Sequence, residues 1–505
     1  MSASAAERAG AWAVSSVTLA PSPVVRPLSD LVTDLERCEV RGDPRSLVRG
    51  LCYRSQDTAP GSLFFCVPGT KLDGHDFAVD AVARGAVALV VDRWLEVAVD
   101  QVLVPSVREA MGPVSSAFFG HPARSMDMVG VTGTNGKTTT TYLLESIFRA
   151  YGSVPGVVGT TGVRIDGRPI PFPRTTPEAP DLHRLLAEMR DAGVRAVAME
   201  VSSHGLDQHR VDGIRYSCAV FTNLTQDHLD YHASMHEYFA AKARLFTPGM
   251  SERAVVNHDS AAGRKLLRPD MPSITYGMGE GAEVRGTDVR ATSEGIAFRV
   301  GSREIRSSLR GRFNVANCLA ALATARSFGI HDDVALRGIG SVRGVPGRAE
   351  AVEAGQGFLV LVDYAHTPDS VANVLRVARP LTTGRLIVVL GCGGDRDRAK
   401  RPLMGRAATS NADLTVLTSD NPRTEDPLQI IREIVPGAER GGGSFAVEPD
   451  RRAAIRLAVS EASPGDVVVI AGKGHETYQE LAERTIAFDD RVVAAEEIRS
   501  LGGTR

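Results

Sequence analysis

The stretch MVGVTGTNGKTTTTYLLESIF, residues 128–148, reads as a strand, a tight loop and the start of a helix. Small residues in the loop let the backbone N–H groups of Gly133, Thr134, Asn135, Gly136, Lys137 and Thr138 wrap a polyphosphate. The helix N-terminus adds partial positive charge there. Lys137 can reach the β- and γ-phosphates of ATP, and the Thr138 hydroxyl can ligate Mg²⁺. The spacing departs from the common phosphate-loop pattern, because Val131 stands five residues before Gly136 and the glycines fall at 130 and 133. Gly-Lys-Thr at a helix start, after a strand, still predicts a nucleotide site in an α/β fold.

Around this loop the 505 residues change texture in a way that suggests about three domains. Residues 1–22 have no sustained apolar core and are expected to form a mobile tail, not a signal peptide. Residues 23–124 hold short strand-like pieces such as SLFFCVPG and VALVVD, which predict a small N-terminal α/β domain. Residues 125–346 alternate strand-like runs (VRAVAMEV, SCAVFTNL, RAVVNHD) with amphipathic helices, and Leu182, Leu185, Leu186 and Met189 have the spacing of a packed helix face. The stretch GSVRGVPGRAE, around 340–350, reads as a linker. In residues 347–505 four apolar runs end in polar motifs: FLVLV in DYAHTPDS, RLIVVL in GCGGDRDRAKR, LTVLT in SDNPRTEDP and DVVVIA in GKGHETYQ. Near-continuous apolar strands predict a parallel sheet covered by helices on both faces. Ligands sit at the carboxyl ends of such strands, so the four polar motifs predict one functional rim.

Composition narrows the partners. A net charge of −2 gives no electrostatic reason to expect nucleic acid or an anionic membrane surface. No apolar run approaches the ~18 residues that would predict insertion into a bilayer. Cysteines 38, 52, 66, 218, 318 and 392 lie far apart without a CxxC pair, which argues against a zinc site or a disulfide framework and fits reduced thiols in the cytoplasm. The histidines of HLDYHASMH are irregularly spaced and do not make a zinc pattern either.

TGTNGKTTT, MEVSSHGL (199–206), FTNLTQDHLDYH (221–232), DYAHTPDS (363–370), GCGGDRDRAKRPLM (391–404) and SDNPRTED (419–426) together resemble the Mur ligase family. Within it the chain looks most like the members that add diaminopimelate. The similarity runs from about residue 50 to the C-terminus and keeps the order of every motif. It implies three domains, one for the uridine end of the substrate, a central ATPase with a mainly parallel sheet, and a Rossmann-like domain that brings the amino acid. It also implies a monomer working in peptidoglycan precursor synthesis. The implied chemistry is ATP-dependent: the D-Glu carboxylate of UDP-N-acetylmuramoyl-L-alanyl-D-glutamate is phosphorylated, diaminopimelate attacks as the amine, and phosphate leaves. Such chemistry brings anions together, so clamping and alignment must supply most of the help.

The resemblance also implies roles for single residues. Glu200, after the apolar strand, and His228 would hold Mg²⁺ with Thr138, and Lys242 in HEYFAAKARLF would carry CO₂ as a carbamate near the metal. Asn257, Arg348, Asp363 and His366 would meet ATP. Tyr53 and Ser55 match the uridine end, with Arg54-Ser55-Gln56 where Asp-Ser-Arg is common. Thr175, Thr176, Ser202, Gln208 and Arg210 match contacts to the muramoyl-peptide, with Arg174 where asparagine is common. The diaminopimelate pocket would be made by Arg396, Asp420, Asn421, Pro422, Arg423, Gly472 and Glu476. The Arg423 fork suits the distal carboxylate that separates diaminopimelate from lysine. If buried and left unpaired by lysine, it would predict rejection by up to ~10⁴-fold.

Overall fold

The long apolar runs become the inner strands of three sheets. The computed structural model describes residues 24–69, 72–170, 172, 174–229, 231–292 and 294–502. The expected tail, residues 1–22, lies outside them. The first sheet has the order Glu39–Arg41, Asp100–Leu103, Ala86–Val91, Ser62–Phe65, Gly50–Cys52 and is parallel except at its first pair. Side chains alternate across a strand, so Leu63 and Phe65 enter one hydrophobic cluster while Phe64 enters another on the opposite face.

The second sheet has nine strands. Asp127–Thr132, which feeds the phosphate loop, lies between Ala196–Glu200 and Cys218–Phe221 and is parallel to both. That placement brings Glu200 and the segment after Phe221 out beside the loop. Val129 and Val131 pack with Leu143, Leu144 and Ile147 on one face. Met128 packs on the other with Leu182, Leu185, Leu186 and Met189, the four residues whose spacing marks a helix, here Ala179–Asp191. Gly162–Ile165 and Arg168–Ile170 add an antiparallel edge. A separate antiparallel sheet, Thr287–Thr292, Gly295–Val300 and Arg303–Ser307, follows.

In the third sheet the four apolar runs are neighbours, in the order Leu359–Asp363, Val467–Ala471, Leu386–Cys392, Leu414–Ser419. All three pairings are parallel, and register sets Asp363 beside Ala471 and Cys392 beside Ser419. The polar motifs therefore leave the same edge of the sheet. Glu350–Ala351 and Ser444–Val447 flank them. Among the described residues no helix is long and apolar enough to cross a membrane.

Beneath this rim Arg451 is wholly buried. It donates to both Asp490 oxygens at 2.8 and 2.7 Å and to the carbonyls of Ser419 and Ala471 at 3.1 Å each, tying two strand ends together. Removing one partner of such a pair strands the other charge in the interior. Asp490→Ala should cost about 3–5 kcal/mol, read as a lower denaturant midpoint for the C-terminal sheet. An unchanged midpoint would show that the pair contributes nothing to the rim.

Candidate active site

The phosphate loop is braced from below by the segment after Phe221. The Thr134 amide donates to the Asn223 carbonyl and the Asn135 amide to Asn223 Oδ1, each at 2.9 Å. Thr222 Oγ1 and Asn223 Nδ2 both donate to the Asn135 carbonyl, at 2.6 and 3.1 Å. Two of the six amides read as a phosphate cradle are therefore committed inside the protein. The free donors at the helix start (Lys137–Ala150) are those of its first turn, which every helix leaves without internal acceptors. Gly136 has φ +90°, and a Cβ there would lie 2.4 Å from Asn317 Oδ1, so glycine is required both by conformation and by space.

Lys137 Nζ donates to the carbonyls of Gly133 and Thr134 at 2.9 Å each. Lys242 Nζ, from helix Met235–Ala243, donates to the same Gly133 carbonyl at 3.1 Å and lies 4.4 Å from the Tyr238 ring centre. Its side chain is buried. Burial, and then the Lys137 charge, hold the Lys242 amine well below the usual lysine range. Glu200 is fully buried and accepts from the Thr160 amide and hydroxyl at 2.9 Å each. A Cβ at Gly159 would sit 2.4 Å from its Oε1, so the neighbouring strand must carry glycine. Glu200 and Asp227 are the two carboxylates whose fields act on Lys137. His228, with φ +55°, stands 3.4 Å from Asp227, and burial holds it below the usual histidine range. This group supplies a carboxylate, a hydroxyl at Thr138 and an imidazole beside a phosphate loop, a donor set that fits Mg²⁺.

The rim of the third sheet faces this loop. Arg348 Nη2 donates to Thr138 Oγ1 at 2.9 Å, and its guanidinium lies 4.9 Å from the Tyr364 ring centre. Asp363 Oδ2 accepts from the Ala349 amide at 2.7 Å, and His366 Nδ1 donates to the Tyr364 carbonyl at 2.8 Å. His475, in the last motif, reaches the backbone of Thr160 across the same gap. Between the two rims opens a cavity of about 850 Å³ whose walls include His228, His366, Arg396, Asp420, Asn421, Arg423, Gly472 and Glu476. His228 and His366 come from the phosphate-loop side and the first C-terminal motif. The other six come from three further strand ends.

Arg423 has φ +53° and is about three-quarters buried. Its Nη1 donates to the Gly394 carbonyl at 2.8 Å and its Nε pairs with Glu480 at 2.8 Å. The Pro422 carbonyl packs so closely on Gly394 that a Cβ there would lie 1.9 Å away. Arg396 donates from Nη1 to the Asp395 carbonyl at 3.0 Å and is exposed.

Other residues read from sequence form a second group, toward the N-terminal domain. Thr176 Oγ1 donates to the Glu200 carbonyl and meets Ser202 Oγ, both at 3.1 Å, while Thr175 Oγ1 meets Thr160 Oγ1 at 3.1 Å. Arg210 donates to the Thr176 carbonyl at 3.2 Å and to Gln208 Oε1 at 2.5 Å. Glu178, which the sequence reading passes over, is buried among Arg108, Arg174 and Arg210 at 2.8, 2.5 and 3.1 Å. Three guanidiniums around one carboxylate leave this wall net positive. Tyr53 bridges from the first domain to Asp181 at 2.8 Å, and Ser55 opens a short 3₁₀ turn in that domain. Asn257 lies behind the loop brace, its amide donating to the Thr222 carbonyl at 2.7 Å and its Oδ1 accepting from the Asp259 amide at 3.0 Å.

The chain matches known proteins along almost its whole length. Family models for the Mur ligase family catalytic domain, the Mur ligase middle domain and the Mur ligase glutamate ligase domain match residues 47–119, 131–325 and 347–474. The UDP-N-acetylmuramoyl-L-alanyl-D-glutamate–2,6-diaminopimelate ligase of Geobacillus thermodenitrificans is 49% identical over 457 residues, covering 88% of this chain and 94% of that protein. Its counterpart in Solibacter usitatus is 48% identical over 465 residues, covering 90% and 94%. A solved structure of a ligase with the same name superposes with a TM-score of 0.68 at 34% identity, covering 95% of this chain and 99% of that one. With three consecutive domain matches and near-half identity along almost the whole length of its relatives, the chain belongs to the Mur ligase family.

Proposed function

We propose that the chain is a cytoplasmic ATP-dependent ligase that joins diaminopimelate to the D-Glu side-chain carboxylate of UDP-N-acetylmuramoyl-L-alanyl-D-glutamate. The observation that carries this reading is the single cavity bounded by the phosphate-loop side and by the DNPR and GKGHE strand ends. The activating and accepting halves of an acyl transfer need such a shared space.

The reaction requires a carboxylate to attack the γ-phosphorus of ATP and an amine then to displace phosphate. Lys137 and the first-turn amides of its helix hold the polyphosphate, and Arg348 brings a second cation to the same end. Glu200, Thr138 and His228 would hold Mg²⁺, which supplies charge neutralisation of the phosphates when bound. Thr160 fixes the Glu200 carboxylate from two directions, so no reorganisation is needed at that ligand. The positive wall of Arg108, Arg174 and Arg210 suits an anionic peptide, with Thr175, Thr176, Ser202 and Gln208 at its edge, and Tyr53 and Ser55 lie on the side of the uridine end. Asn257, Asp363 and His366 complete the proposed nucleotide surroundings. Phosphate release that requires ATP, the UDP-substrate and diaminopimelate together tests the reading, and release without the amine would refute it. Lys137→Ala and Glu200→Ala should each lower kcat by about two to three decades in a protein that still folds by circular dichroism.

Lys242 is proposed to carry CO₂. Two ammonium groups on one carbonyl in a buried site repel, so the state favoured for Lys242 is the neutral amine. Its lone pair adds to CO₂, one proton leaves, and a carbamate anion replaces the neutral amine beside Lys137. Lys242→Ala should be inactive and partly rescued by short carboxylic acids. Full activity of the unmodified enzyme under CO₂-free conditions would remove the proposal.

Selection of diaminopimelate over lysine is assigned to Arg423. The fork is not stranded when the distal carboxylate is missing, because Glu480 already pairs with its Nε. The discrimination expected is therefore that of one charged hydrogen-bonding contact, about 1.5–3 kcal/mol, one to two decades and well short of the 10⁴-fold that a desolvated, unpaired arginine would give. Arg423→Ala should lower kcat/KM for diaminopimelate by that amount and leave KM for ATP alone. Unchanged diaminopimelate kinetics would reassign the residue to loop structure.

A further inference from the structure

The amino-acid end of the cavity rests on a lysine that the proposed reaction does not use. Lys473 lies in AGKGHE, between Gly472 at φ +115° and Gly474 at φ +54°, and its side chain is wholly out of solvent. Its Nζ donates to Asn421 Oδ1 at 2.9 Å and to Glu476 Oε2 at 3.1 Å. Asn421 Nδ2 donates to the same Glu476 oxygen at 2.8 Å, and Asn421 Oδ1 also accepts from the Glu480 amide at 3.0 Å. Asn421 and Glu476 line the cavity, whereas Lys473 lies behind them.

A buried ammonium is expensive, and apolar residues of the same volume usually hold a fold as well or better. The charge therefore calls for a reason at the surface it supports. Two carboxylates, Asp420 and Glu476, face this end of the cavity, and close carboxylates resist ionising together. We propose that Lys473 is the positioning residue of the pocket. It keeps Glu476 ionised and holds Oε2, so that Oε1 receives an ammonium group of the amino-acid substrate. The inference rests on the ligase reading above.

The charges around Glu476 fit that role. Burial, followed by the Asp420 charge, pushes its carboxyl above the usual glutamate range, and Lys473 and Asn421 offset part of that rise. Tyr364 and Tyr478 lie within its field, and Arg451 supports it from below the rim. Glu480, whose amide donates to Asn421, pairs with Arg423 next to this group. Two carboxylates meet one buried lysine here, and Arg423 and Arg396 line the same cavity as cations. A zwitterionic amino acid with two charged ends matches that polarity.

The sign of the pH effect follows. An ammonium-binding carboxylate is lost as pH falls through its pKa, and removing Lys473 raises that pKa. The acid limb of kcat/KM for diaminopimelate must then move to higher pH. The wild type is assayed first for diaminopimelate-dependent phosphate release, and its absence would refute the ligase reading and not the lysine's role alone. In Lys473→Met the KM for diaminopimelate should rise about tenfold or more with kcat changed far less. KM for ATP and the UDP-substrate should stay put, and the acid limb should move up by about one pH unit. Lys473→Gln, which keeps a hydrogen-bond donor without charge, should show the same pH shift. In a Glu476→Gln background, loss of Lys473 should add little to the KM. An unmoved acid limb, an additive double variant, or failure of both single variants to fold by thermal melting overturns the proposal in favour of a purely structural lysine.

Discussion

Arg348 donates to the Thr138 hydroxyl across the gap between the central and C-terminal sheets, and the rest of the site depends on that approach. Both sheets are parallel where they matter, so each presents the carboxyl ends of its strands along one edge. A parallel sheet cannot reach ligands with its strands, only with the loops that leave them. Two such edges turned face to face create a cavity that neither domain has alone. Arg348 lies within the stretch read as the linker and reaches back to the phosphate loop from there.

The distribution of buried charge explains why this gap can serve acyl transfer. Lys137 and Lys242 share the Gly133 carbonyl, and Glu200 and Asp227 face them. Arg451 and Lys473 sit under the opposite rim behind Asp490, Asn421 and Glu476. These charges are held by hydrogen bonds from the protein itself. Interactions preorganised in this way cost no reorientation when charge develops in the reacting groups. The expense is borne by the fold, in the ion pairs and close glycine contacts that keep the rims rigid.

The four apolar runs of the C-terminal block, the phosphate-loop strand and the Leu182–Met189 helix face were legible because burial on both faces or on one stripe writes itself into the pattern. The sheet at Thr287–Ser307 was not, since its first strand is largely exposed and carries little apolar signal. At the site, motif residues such as Arg423 could be read as facing the cavity. Their restraints could not. Glu480 pairs with Arg423 from a strand 57 residues further on, and Glu178 gathers Arg108 from another domain. Thr160 holds Glu200 through a backbone amide, which has no sequence signature. Lys473 looks like any surface lysine until the strands on either side close over it.

These restraints also fix the shape of the two loops that carry Arg396 and Arg423 into the cavity. Asp395 and Arg423 both have φ +53°, in the left-handed region that aspartate tolerates and a long side chain such as arginine adopts less readily. Thr424 donates to Asp395 Oδ1 at 2.7 Å, and Glu425 Oε1 accepts from the Asp395 amide at 2.6 Å while its carboxylate also binds the fully buried Arg401. The GGDRD and DNPR loops are thus locked to each other through Asp395 and Glu425. A substitution in one loop would be felt at the arginine of the other, so the restraint on Arg423 comes from both loops.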